Sequence, residues 1–147
     1  LAYTGMGILY ENIGEIQKAE YFFNKAITDV YRYPIKETHD IWRLLNIMYY
    51  CGSFYANIED YQTSDALLTH GVKICSDNHV TYYLARMTFQ LAKNAVAQNK
   101  DCYEIMDLYY STKAYAEINK NMIELKALED FKHELMENDA FSEIVLY

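Results

Sequence analysis

Apolar residues recur at steps of three and four along nearly the whole chain, as in "AEYFFNKAI" and "ARMTFQLAKNAV", and no stretch sustains the alternation of a strand. A chain patterned at this period has to bury helical faces against other helices. No Asn-Gly or Asp-Gly hairpin signal is present, and the one proline, Pro34 in "RYPIKETHD", breaks the pattern. The expectation is an all-α fold of about seven antiparallel helices. Helix one runs to about Gly14, helix two from about Ile16 to Tyr31, and helix three over roughly Asp40 to Asn57. Helix four follows Asp60 as its N-cap and continues to about Cys75, and helix five lies near Val80 to Gln98. Asp101 with Glu104, and Asn121 with Glu124, have capping-box spacing and start helices six and seven. The tail "AFSEIVLY" is apolar but too short for the pattern to assign it an element.

With 147 residues, 52% of them hydrophobic, and no Ser/Gly or Gln/Asn tract to act as a linker, residues 1–147 read as a single domain with a sizeable core. Leu1 already lies inside the helical pattern, so the chain is expected to be the C-terminal part of a longer protein. The balance of 21 acidic to 13 basic residues gives a net charge of −8, the wrong sign for gripping a phosphate backbone over a large surface. No apolar run reaches the roughly 18 to 20 residues of a membrane span, and no leader resembles a signal peptide. A cytoplasmic protein without membrane contact is expected. Cys51, Cys75 and Cys102 are isolated, an odd number without C-x-x-C spacing, and read as reduced packing residues.

The stretch "TGMGILYENIGEIQKAEYFFNKA", residues 4 to 26, raises the question of a phosphate-binding loop. In a G-x-G-x-x-G loop a third glycine would stand where Tyr10 does, and a strand would precede it. Neither is found. Laying residues 7–26 over 52–71 places Gly7 on Gly52, Tyr10 on Tyr55, Ala19 on Ser64, Phe23 on Leu68 and Ala26 on Gly71. The chain therefore repeats itself, and the small positions let two helices approach while an aromatic or leucine fills the space a turn later. Gly7 is read as the interhelical contact and Gly14 as the turn.

"GILYENIGEIQKAEYFFNKAI" resembles the tetratricopeptide repeat, with its small residue, tyrosine, turn glycine, alanine, aromatic and alanine in order. "GSFYANIEDYQTSDALLTHGV" keeps the pattern but has Glu59 in place of the turn glycine and Ser64 and Gly71 in place of the alanines. The two copies lie 45 residues apart, longer than the family's usual repeat of about 34. Residues from Tyr82 onward follow the architecture by periodicity alone. The resemblance implies a right-handed superhelix of stacked helical hairpins whose first helices line a concave surface.

If Met48, Cys51, Gly52 and Tyr55 face the core, the groove side of helix three is Trp42 or Arg43, Asn46, Tyr49, Ser53 and Asn57. Helix five in the same register offers Tyr82, Arg86, Phe89 and Lys93, and helix one offers Thr4, Ile8, Glu11 and Asn12. An asparagine amide can donate to and accept from a peptide backbone at once, and arginine or lysine can meet a carboxylate. The plain alternative for the tyrosines is that they are core and rim aromatics. His39, His70, His79 and His133 stand apart, with no metal-ligand spacing and no nucleophile motif. Glu11 and Glu15, one turn apart, read as solvated helix-face carboxylates. No catalytic residue, metal or cofactor is expected.

The segment from Ile41 through Val96, followed by "YYSTKAYAEINKN", resembles the C-terminal repeat domain of Rgg/PlcR-type transcriptional regulators. That resemblance implies a peptide sensor: the repeat domain binds a short signalling peptide, the protein is a homodimer, and DNA is held by a separate N-terminal helix-turn-helix outside this chain. Carried over residue by residue, it leaves Arg43, Asn46, Asn57, Arg86 and Lys93 as the candidate peptide contacts. The competing reading is a constitutive adaptor with a carboxylate clamp on successive first helices, which Thr4, Ile8 and Glu11 spoil on helix one.

Overall fold

The computed structural model describes residues 2–32 and 36–137, which form helices joined by short turns, with no strand among them. The helices are α1 (Ala2–Asn12), α2 (Ile16–Arg32), α3 (Thr38–Asn57), α4 (Tyr61–Asp77), α5 (Tyr82–Ala97), α6 (Cys102–Ile118) and α7 (Met122–Met136). Tyr33, Pro34 and Ile35 of the proline break, and the tail "AFSEIVLY", lie outside the described residues. No described helix is long and apolar enough to cross a membrane.

Packing divides the chain into two compact units, Leu1–Ile74 and Cys75–Tyr147. In the first, α1 packs on α2 and both touch α3. Its core holds Ala19, Phe23, Ala26, Ile47, Cys51, Phe54 and Tyr55, with the Phe23 and Phe54 rings 4.7 Å apart. In the second, α5 packs on α6, and α7 touches both, around Phe89, Ala92, Ile105, Tyr109, Leu128, Phe131 and Leu135. Burying one such large side chain is worth roughly 1.5–3 kcal/mol, so each core supplies the main driving force for its unit.

The repeat is legible as geometry inside the first unit. A Cβ added to Gly7 would lie 2.9 Å from the Phe23 ring, and one added to Gly52 would lie 2.7 Å from Leu68. Paired small and large positions thus make the same close helix contact in both copies. Where the first copy has Ala19, the second has Ser64, whose buried hydroxyl donates to the Gly52 carbonyl at 2.7 Å. The substitution adds an interhelical hydrogen bond to the same contact.

Five corners are closed in one way. Gly14 (φ 83°), Glu59 (65°), His79 (55°), Asn99 (53°) and Lys120 (52°) adopt the left-handed conformation. The following N–H then reaches back five residues: Glu15 to Tyr10 at 2.9 Å, Asp60 to Tyr55 at 2.8 Å, Val80 to Cys75 at 2.9 Å, Lys100 to Ala95 at 3.0 Å, and Asn121 to Ala116 at 2.9 Å. This is the Schellman closure, which satisfies carbonyls left open by the ending helix. Glu59 takes the turn glycine's place without changing the path.

The N-termini follow the expected caps with two differences. Asp60 accepts from the Thr63 N–H at 3.2 Å, Asp101 from Tyr103 at 2.9 Å, and Asn121 from Glu124 at 3.1 Å. Helix three begins at Thr38, not Asp40, because Asp40 reaches back from the first turn to accept the N–H groups of Lys36 and Glu37 at 3.2 and 3.1 Å. Those bonds hold its carboxyl below the usual aspartate range, helped by His39 and Arg43. Helix five begins at Tyr82, not Val80, because the Val80 N–H is committed to the preceding corner.

Candidate functional site

On α3 the side facing the core is broad: Leu44, Leu45, Ile47, Met48, Cys51, Gly52, Phe54, Tyr55 and Ala56 are buried. The remaining side carries the expected stripe. Trp42 and Arg43 are both exposed, Asn46, Tyr49 and Ser53 are half-buried, and Asn57 is exposed. The Arg43 guanidinium lies 3.3 Å from Asp40, and the Tyr49 ring meets Tyr50 edge-on at 5.3 Å. Asn57 donates from Nδ2 to Oε2 of Glu11 at 3.0 Å, which brings residues of α3 and α1 together at the surface. The Ser53 Oγ is buried and has no hydrogen-bond partner among the described residues.

Two expectations on this face are corrected. Thr4, placed on the open side of helix one, is buried at 3% exposure. Ile8 is packed against the first unit's core. Because α1 contacts α3 as well as α2, its open side is narrower than a single hairpin would leave it.

In the second unit, Tyr82 is exposed and the Arg86 guanidinium carbon lies 5.0 Å from its ring centre. Arg86 Nε is 3.7 Å from Glu124 Oε1, with both side chains largely covered. The Lys93 side chain is exposed as a whole, yet its ammonium sits 4.6 Å from the Phe89 ring centre. Desolvation there lowers the lysine pKa, and the nearby Glu124 charge works against that shift. Phe89 itself is not a surface residue: it is 6% exposed and meets Phe131 edge-on at 5.5 Å. Its position borders Ala85 and Ala92, and a large ring at the edge of a helical stripe gains more by turning to the apolar side. Glu124 is a member of this cluster that the sequence marked only as part of a helix start.

Elsewhere two polar pairs link helices within their own unit. Tyr31 meets His70 through its hydroxyl and Nδ1 at 3.1 Å, with stacked rings. Buried Thr112 and Thr88 share a hydroxyl contact at 2.9 Å between α6 and α5. Cys51, Cys75 and Cys102 are free thiols; burial pushes Cys51 up to about 12 and Cys75 to about 11. Among the described residues, no group of three or more His, Cys, Asp or Glu is placed to hold a metal ion.

Comparison with protein-family models, with curated proteins and with solved structures finds no match for this chain. What the geometry defines is therefore the class: a repetitive, all-α helical-hairpin protein.

Proposed function

We propose that the open side of α3, with Glu11 beside it, binds a short and partly hydrophobic peptide in extended form. The observation that supports this is the order of side chains along that side, where Trp42 and Tyr49 alternate with Asn46 and Asn57 outside the core. Aromatics supply apolar contact, and each amide can donate to and accept from a peptide backbone irrespective of its side chains. Taken by itself, the second unit has a separate surface where Arg86 and Lys93, each backed by a ring, offer charges to a carboxylate. On its resemblance to Rgg/PlcR-type regulators, we read the chain as the sensor part of a cytoplasmic peptide-responsive transcriptional regulator. In that reading it is a right-handed repeat superhelix, acts as a homodimer, and leaves DNA to a separate domain.

Calorimetric titration with a panel of apolar peptides of about five to eight residues tests the binding reading. The expected result is low-micromolar affinity that falls about 5- to 150-fold in Asn46→Ala and in Asn57→Ala, since a lost amide leaves peptide groups unpaired at a cost of roughly 1–3 kcal/mol. Lys73→Ala on α4 leaves affinity as it was. If both asparagine variants bind like the parent while a change on α4 abolishes binding, the surface is misassigned. Binding of any carboxylate-ended peptide regardless of sequence selects the constitutive adaptor instead.

A further inference from the structure

α2 carries a cavity of about 270 Å³ lined by Tyr21, Asn24, Lys25, Thr28, Asp29 and Arg32. Their spacing of three and four places all six on one side of the helix. The lining is chemically prepared. The Tyr55 hydroxyl donates to Oδ1 of Asn24, which fixes the amide and leaves its Nδ2 hydrogens as the donors turned away from Tyr55. The Thr28 hydroxyl donates to the Asn24 carbonyl at 2.8 Å, so only its lone pairs are left to offer. The Lys25 ammonium lies 5.6 Å from the Tyr21 ring centre.

Some cations of the chain have a carboxylate beside them. Arg43 is held by Asp40, Arg86 by Glu124, Lys100 by Glu104 and Lys132 by Glu129. Lys25 and Arg32 line the cavity with Asp29 between them on the same side of the helix. In a chain of net charge −8, two cations and an oriented amide donor share one concavity.

We propose that this cavity is a docking site for an acidic extended peptide segment of a partner protein. Arg32 and Lys25 take a carboxylate from the segment, Asn24 donates to it, and Asp29 accepts a backbone N–H that the same segment supplies. The mixed lining favours a peptide over a bare anion, because a free dicarboxylate leaves Asp29 facing like charge with no donor in return. The site is on α2 and does not depend on the α3 surface or on its reading as a sensor.

The test is amide-resolved NMR titration of the full chain with acetyl-Glu-Ala-Glu-Ala-Glu-amide, its glutamine counterpart, and glutarate. The expected result is shifts concentrated on residues 21 to 32 with the glutamate peptide, binding at least about tenfold weaker with the glutamine peptide and with glutarate, and a loss of about five- to tenfold in Arg32→Gln. Arg32→Gln is an exposed substitution, and an unchanged melting curve verifies that it folds. Shifts centred outside α2, or binding that survives Arg32→Gln unchanged, would overturn the proposal. Glutarate binding as tightly as the peptide would overturn its peptide part and leave a free-carboxylate site.

Discussion

Gly52 lies against Leu68 so closely that a Cβ would stand 2.7 Å from Cδ2 and 2.8 Å from Cγ. Leu68 is fully buried, so it has no room to give way. Gly52→Ala and Gly7→Ala are therefore expected to lower stability: overpacking costs roughly 1 to 3 kcal/mol against a helix-propensity gain of about 1 kcal/mol. Gly5→Ala, exposed and with nothing within 4 Å of the added atom, is expected to raise stability by about 0.5–1 kcal/mol. Urea midpoints of the three variants check the opposed signs, and equal shifts would show that close approach does not decide them.

At the corners, Glu59 and Lys120 hold a conformation that costs an L-residue roughly 1 kcal/mol or more. Glu59→Gly and Lys120→Gly are expected to stabilise by about 1 kcal/mol, and Asn99→Gly by less, because asparagine tolerates the left-handed region. Gly14→Ala changes stability the other way. Thermal melts of the four variants should fall in that order.

The hydroxyl of Ser64 is fully buried and bonded to the Gly52 carbonyl. Ser64→Ala restores the residue type of the first copy but removes the bond, at an expected cost of about 0.5–1.5 kcal/mol. A variant as stable as the parent would show that the helix contact alone accounts for the packing.

Burial raises the pKa of Cys51 to about 12 and of Cys75 to about 11, from an ordinary value of 9.0. For groups whose folded pKa is raised, stability is complete below the unfolded value and is lost as pH climbs through the folded one. Stability should therefore fall from about pH 9 upward, with Tyr55, raised to about 12, adding the same sign at higher pH. Urea titrations at neutral and alkaline pH test this, and a double Cys51→Ala, Cys75→Ala variant should lose less than the parent over the same interval.

Period and caps carried the helices because both are local: Asp60, Asp101 and Asn121 each bond to an N–H two or three residues away. The glycine contacts were legible too, since only close approach explains Gly7 and Gly52 at matching places. The faces were less so. A stripe at steps of four, three and four on α5 contains Arg86 and Phe89 alike, and only the presence of Phe131 draws the ring inward. Thr4 and Glu124 depend on neighbours from other helices, which no local pattern encodes.

The same five-residue closure forms with glycine, glutamate, histidine, asparagine or lysine at its left-handed position. The route of the chain through a corner is thus written in backbone hydrogen bonds, and the side chain there is left almost free to drift. Any of these residues can therefore stand at such a corner, a side chain costing about 1 kcal/mol over glycine, and the chain still turns the same way.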